Sequence, residues 1–298
     1  MPENMRFVQR EDLLSYEEML RLTSILSSEG ISKVRITGGE PFVRKELMVF
    51  LRKLTAQPQI DKVTITTNGV LTWKYLKELK ELGINSFNLS LDTLDSSRFY
   101  EITRRDVFKD VIKTLEMGLN LDFKIKINAV VMDGKNTKDI IPLANYAKDH
   151  PVDIRFIEEM PFNGVGAHYS TLIWNHKKIK ETLSSALHLI RNDDPKGSTA
   201  ETYSIAGFEG TVGIIPAYTR TFCSDCNRIR ITALGMLKNC LYDDGVFNLR
   251  DFIRQESDDQ VVRDKLVQII QKRPKNGFEA EKNRVNKEVH ESMSTIGG

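Results

Sequence analysis

Cysteine is scarce in this chain. Three occur in 298 residues, Cys223, Cys226 and Cys240, all within FCSDCNRIRITALGMLKNC. So few, so clustered, argue against a secreted disulfide framework and point to a reducing cytoplasm. Long apolar runs are absent: no stretch approaches the roughly 18 residues a membrane helix needs. An excess of one charge is also missing. The net charge is +2, too small for a field that would draw a polyanion, so neither a nucleic-acid nor a membrane partner is expected. Any anion must be bound by local clusters. The opening MPENMRFVQREDLL has no apolar h-region and no transit-peptide character. No segment is of low complexity. What is present is a composition with 40% hydrophobic and 28% charged residues, enough for a substantial core in one large or two ordinary domains.

The first half alternates strand and helix patterns. Five β-branched runs recur: KVRIT (33–37), KVTITT (62–67), SFNLSLD (86–92), KIKINAVV (124–131) and VDIRFIEE (152–159). Ser15 followed by Glu18 predicts a capping box at the first helix, which closes near Gly30. YLKELKELG and VIKTLEMG each end on a glycine, Gly83 and Gly118, the usual helix stop. Such alternation predicts right-handed crossovers and a parallel sheet. Around residue 160 the pattern changes. PFNGVG reads as a loop, HKKIKETLSSALHLI as a helix and RNDDPKGST as a polar linker. TYSIA, TVGII, RIRITA and MLKNCLY follow as strands without intervening helices, with a hairpin turn at Gly235. DDQVVRDKLVQIIQ is a last amphipathic helix.

The strands alternate in polarity where strands covered on both faces would be continuously apolar. Residues two apart share a face. Arg35 and Thr37 oppose Val34 and Ile36, and Thr64 and Thr66 oppose Val63 and Ile65. Asn88, Ser90 and Asp92 oppose Phe87, Leu89 and Leu91. Lys124, Lys126 and Asn128 oppose Ile125, Ile127 and Ala129, and Asp153 and Arg155 oppose Ile154 and Phe156. The apolar face suits the helices. Cations on the other would be costly in a dry barrel. Two readings remain: a wide lumen holding a charged ligand, or a sheet with one face in water. TGGEP, TNG, SLD and EEMP at the strand ends favour the first, because α/β barrels bind ligands there.

The cysteines admit three readings. One is a 4Fe–4S cubane on three thiolates with one iron left open. Another is a zinc site completed by His150, His168, His176, His188 or His290, although none has close ligand spacing. The third is three unrelated buried thiols. A turn at Gly235 would return Cys240 beside residues 228–230. In a strand, Arg228 and Arg230 share a face and suit carboxylate or phosphate; a solvated cationic face is the alternative.

RITGGEP, TTNG, NLSLDTL, RFIEEMPF, FCSDCNRIRIT, the KNC cysteine and the terminal GG together resemble the GTP 3′,8-cyclases of molybdenum cofactor biosynthesis, radical S-adenosylmethionine enzymes. The resemblance runs from Met1 to Gly298. It implies an α/β fold, an incomplete (β/α)6 barrel over 1–160, and a C-terminal α+β domain over 161–298 carrying an iron–sulfur site. It implies S-adenosylmethionine contacts at Gly39, Ser90 and Met160. GTP contacts are implied at Arg35, Thr66, Lys126, Arg155, Arg228, Ile229 and Arg230. Cys223, Cys226 and Cys240 would hold a 4Fe–4S cluster whose open iron takes the guanine, and Gly297 and Gly298 would form a tail entering the active site. The implied partners are an electron donor and the downstream cyclic pyranopterin monophosphate synthase, with homodimerisation left open.

The chain departs from the family pattern in one respect. The family's C-x3-C-x2-C motif, which binds the cluster that reduces S-adenosylmethionine, is not among these residues, and neither is the family's first strand. The expectation is a chain cut just after that motif, inactive alone, with the second cluster present only in a fuller form. A non-catalytic GTP- and cluster-binding remnant is the alternative, and a zinc-stabilised domain a third.

Overall fold

The structure, a computed structural model, describes residues 9–160, 173–221, 223 and 226–284. Along the chain come α1 (Tyr16–Ser28), β1 (Lys33–Ile36), α2 (Leu47–Thr55), β2 (Lys62–Thr67), α3 (Leu76–Glu81), β3 (Ser86–Ser90), α4 (Ser96–Thr103), α5 (Phe108–Asn120) and β4 (Lys124–Val131). Then follow α6 (Ile140–Tyr146), β5 (Val152–Glu158), α7 (His176–Ala186), β6 (Leu189–Arg191), β7 (Glu201–Ile205) and β8 (Thr211–Ile215). The last are β9 (Arg230–Ile231), β10 (Met236–Lys238), β11 (Phe247–Asn248), α8 (Leu249–Gln255), α9 (Asp259–Gln271) and α10 (Gly277–Lys282). Two compact units result. One joins residues up to Val63 with those from Asn227 onward; the other is the continuous stretch Thr64–Cys226.

The continuous unit is an α/β sheet. Its strands lie in the order β2-β3-β4-β5-β8-β7-β6. β2 to β5 are parallel neighbours, as the strand–helix alternation predicts, and β8 pairs parallel to β5. β7 and β6 then pair antiparallel. TYSIA and TVGII therefore extend the main sheet. The expected helix over 176–190 is shorter, because residues 189–191 form edge strand β6. The expected stop at Gly118 also fails: α5 continues to Asn120. Gly118 is there for packing, since a Cβ would stand 2.9 Å from Ile125 Cδ1 and 3.0 Å from Phe87 Cζ. Gly83 does end its helix region, with φ +75°.

The discontinuous unit is assembled from both parts of the sequence. The capping box is present: Glu18 N–H donates to Ser15 Oγ (3.1 Å) and Ser15 N–H to Glu18 Oε2 (2.7 Å). Leu22, Ile25 and Leu26 of α1 form one buried cluster with Leu237, Leu249, Ile253, Val262 and Leu266. Arginines pin the surrounding loops. Arg21 bonds Asp259 and the carbonyls of Ile253 and Glu256, and Arg254 bonds Glu18 and the carbonyls of Glu11 and Leu13. β9 and β10 form the hairpin expected around Gly235 (φ +81°), with Lys238 opposite Arg230.

Candidate functional site

Polar side chains form two ranks across one face of the continuous unit's sheet. In the first, Thr66 lies opposite Asn88, Asn88 opposite Lys126, Lys126 opposite Asp153 and Asp153 opposite Thr211. In the second, Ser90 lies opposite Asn128, Asn128 opposite Arg155 and Arg155 opposite Gly213. The alternate residues Ile65, Phe87, Leu89, Ile125, Ile127, Ile154 and Phe156 are buried, so the two faces separate by polarity as the sequence pattern predicts.

The ranks are tied together. Asn88 Nδ2 donates to Thr66 Oγ1 at 3.1 Å. Asp153 Oδ2 accepts from Arg155 Nε at 2.8 Å and lies 2.7 Å from Arg155 Nη2 and 3.4 Å from Lys126 Nζ. Two cations thus share one carboxylate, which lowers the cost of gathering them and leaves a net positive charge to meet an anion.

The strand ends are built more tightly. At TNG, Thr67 Oγ1 meets Thr72 Oγ1 at 2.8 Å and accepts the Gly69 N–H at 3.0 Å, while Thr114 Oγ1 donates to Gly69 O. Gly69 has φ +81°. At SLD, Ser90 is exposed. Asp92 Oδ1 accepts the Val130 N–H at 2.8 Å, and Asn136 Nδ2 donates to Asp92 O at 3.1 Å. Burial pushes the Asp92 carboxyl up to about 6; the Val130 N–H opposes the rise and neighbouring Asp139 adds to it. At EEMP, burial raises the Glu159 carboxyl, and Met160 follows, partly buried.

Glu158 is the residue the sequence reading missed. Its Oε1 accepts from His176 N–H at 2.6 Å and lies 3.1 Å from His176 Nδ1. Its Oε2 accepts the N–H groups of Tyr218 and Thr219, both at 2.8 Å. Strand parity held the signal, since residue 158 shares a face with Ile154 and Phe156.

Cys223 and Cys226 end the continuous unit, and Cys240 belongs to the other. None is in a disulfide and each is partly buried. Cys226 N–H donates to Cys223 O at 3.3 Å, so the pair sits on one turn. Cys240 N–H donates to Asp243 Oδ2 at 2.7 Å. Among the described residues, no group of three or more His, Cys, Asp or Glu side chains is gathered around a metal position. As a donor set, three thiols with two on a shared turn fit an iron–sulfur cubane chemically. Of the histidines weighed as zinc ligands, Nδ1 is engaged by Tyr146 O in His150 and by Glu158 and Thr219 in His176.

The remaining candidates lie in the discontinuous unit. Arg35 is exposed on β1, and Gly39 is exposed in the loop after it. Arg228 and Arg230 are partly buried. Ile229 packs against the hydrophobic cluster, so its side chain faces the core. Gly297, Gly298, His168, His290 and PFNGVG lie outside the described residues. Among the described residues no helix is long and apolar enough to cross a membrane.

Comparison with known proteins gives two family matches: the Radical SAM superfamily over residues 3–147 and Molybdenum Cofactor Synthesis C over residues 152–279. A GTP 3′,8-cyclase of Clostridium perfringens (strain 13 / Type A) is 37% identical over 298 residues, covering 98% of this chain and 90% of that protein. Molybdenum cofactor biosynthesis protein 1 of Drosophila melanogaster is 38% identical over 269 residues, 88% of this chain; the match spans 46% of that longer protein. The mitochondrial GTP 3′,8-cyclase of Arabidopsis thaliana is 34% identical, covering 99% of this chain and 76% of that one. Among solved structures, Streptococcus suis SuiB bound to S-adenosylmethionine matches with a TM-score of 0.48 and 21% identity, over 58% of this chain and 39% of that chain. With its two family segments in sequence and a relative matched over nearly all of both lengths, the chain belongs to the GTP 3′,8-cyclase family of radical SAM proteins.

Proposed function

We propose that this chain binds GTP for its conversion to 3′,8-cyclo-7,8-dihydroguanosine 5′-triphosphate, the first step of molybdopterin biosynthesis. The two polar ranks carry the reading, since Lys126 and Arg155, steadied by Asp153, present adjacent cations in the middle of the polar sheet face. Thr66, Lys126 and Arg155 would hold nucleotide, with Lys126 and Arg155 on phosphate. Ser90 and Met160 would hold S-adenosylmethionine at the ends of β3 and β5. The roles of Arg35, Arg228, Ile229 and Arg230 toward GTP, of Gly39 toward S-adenosylmethionine and of Gly297 and Gly298 as a tail rest on the resemblance. So does the division into a barrel over 1–160 and a substrate and cluster domain over 161–298.

Cys223, Cys226 and Cys240 would hold one 4Fe–4S cluster. Bound S-adenosylmethionine with its own reducing cluster supplies the hydrogen-abstracting radical chemistry that joins ribose C3′ to guanine C8. The protein's part is placement: fixed cations orient the triphosphate so that the two carbons to be joined stay close. Partly exposed thiols suit a reducing compartment such as the cytoplasm. An electron donor and the cyclic pyranopterin monophosphate synthase would precede and follow the reaction.

The test is GTP binding by calorimetry at fixed salt. Lys126→Ala and Arg155→Ala should each weaken binding about tenfold, the loss of one charge-assisted contact. Unchanged affinity in both overturns the assignment. The cysteine count favours a second reading for a polypeptide of just these residues, namely binding without turnover, because three thiols ligate one cubane. That polypeptide should form no 5′-deoxyadenosine with S-adenosylmethionine and a reductant, and its detection would overturn this second reading.

A further inference from the structure

Glu158 lies on the apolar side of β5. Val152, Ile154, Phe156 and Glu158 alternate onto the buried face, and Glu158 is 0% exposed. A carboxylate there is costly unless its lone pairs are used. They are: three backbone N–H groups, from His176, Tyr218 and Thr219, converge on it, together with the Thr219 hydroxyl at 3.0 Å. The His176 ring is part of the same cluster. Thr219 Oγ1 and Glu158 Oε1 both lie beside Nδ1, at 3.0 and 3.1 Å, so a ring N–H there is shared between the two oxygens and adds to the donors that hold Glu158.

The backbone that Glu158 holds leads directly to the cysteine pair. Arg220, next after Thr219, has φ +57°, a left-handed conformation that a non-glycine residue keeps only when its surroundings impose it. Its N–H donates to Pro216 O at 2.8 Å. Its carbonyl accepts the Cys223 N–H at 3.3 Å, and Cys223 O accepts the Cys226 N–H. Hydrogen bonds, joined by the Thr219–Arg220 peptide bond, thus connect the end of β5 to Cys226. The same strand carries Arg155 at its middle and leads into Met160.

We propose that Glu158 is a positioning residue that fixes the 216–220 turn, and through it the Cys223–Cys226 thiols, to the end of β5. Its importance rests on the reading of those thiols as cluster ligands; Glu158 acts through the turn and is given no direct role toward cluster or substrate. A carboxylate is required because three N–H donors arrive from two directions. An amide would turn a donor toward one group of them.

The experiment follows thiol alkylation by iodoacetamide in the reduced, metal-free full chain, site by site, by peptide mass spectrometry. In Glu158→Gln, Cys223 and Cys226 should react at least about threefold faster as the turn opens locally. Cys240, in the other unit, should keep its rate and serve as internal reference. Unchanged rates at all three cysteines overturn the proposal, and so does an equal rise at all three, which marks general loosening. Should Glu158→Gln fail to fold, Thr219→Val removes the hydroxyl bonds and keeps the backbone ones. A smaller rise confined to Cys223 and Cys226 is then expected, and an unchanged ratio to Cys240 overturns the proposal. The cluster reading fails separately, if the wild-type chain takes up no iron and sulfide on anaerobic reconstitution, and the alkylation rates still decide on Glu158.

Discussion

Asp92 shows how one side chain couples the site to pH. It is partly exposed, yet buried Thr93, Asn136 and Asp139 surround it, and burial pushes its carboxyl up to about 6 from the ordinary 3.8. Because the folded value is the higher one, the native state binds this proton more tightly than the unfolded chain does. Ionised Asp92 therefore costs stability. The cost is absent below about pH 4, grows through the interval up to about 6 and is complete above it. Two pK units set an upper bound of about 3 kcal/mol. Asp92→Asn keeps an acceptor for the Val130 N–H and cannot ionise. The urea-unfolding free energy of wild type minus that of Asp92→Asn should fall by up to that amount between about pH 4 and 7. A difference flat in pH would assign the titration elsewhere. The elevated value was not legible in SLD, because it comes chiefly from burial, which only the packed fold creates, with a smaller addition from Asp139 on another segment.

At the scale of elements, the turn after β2 has little tolerance. A Cβ on Gly69 would stand 2.5 Å from Leu89 Cδ1 and 3.3 Å from Val111 Cγ1, at φ +81°. Gly69→Ala should destabilise the protein by about 1–3 kcal/mol, from left-handed strain and crowding together. A urea midpoint within error of wild type would contradict this. The parallel strands were readable because period-2 polarity and β-branching are local signals, and β2 and β4 begin and end where the sequence pattern places them. Gly118 misled because a glycine that ends a helix and one that admits a neighbouring strand look alike in one dimension. The return of β8 to β5 was not legible, since a pairing across more than 50 residues leaves no local trace. The polar ranks were half legible. Each strand shows its own alternation, but only register sets Thr66, Asn88, Lys126 and Asp153 side by side.

For the whole molecule, the division of one unit between distant parts of the sequence matters most. Leu266, 1% exposed, fills the cluster beneath α1. Leu266→Ala should cost about 2–5 kcal/mol. Amide hydrogen exchange should accelerate in α1 as well as in α9, although they lie far apart in sequence. Acceleration restricted to α9 would show that the two helices do not share a core. Nothing in the sequence pattern announced this pairing. The capping box located α1 and the apolar stripe of α9 was visible, but not that the two helices cover one another.

That division also orders events during synthesis. The helix bearing Leu22, Ile25 and Leu26 leaves the ribosome early, and the C-terminal members of its cluster, from Leu237 on, are translated only after the entire intervening sheet. At about 5–20 residues per second, the delay is roughly 10–40 s. α2 follows soon and packs on α1, but throughout the delay Leu22, Ile25 and Leu26 lack the C-terminal part of their cluster, and exposed apolar side chains of that kind are what holdase chaperones bind. Slow codons placed before Leu249 would lengthen that vulnerable interval, and fast ones would shorten it.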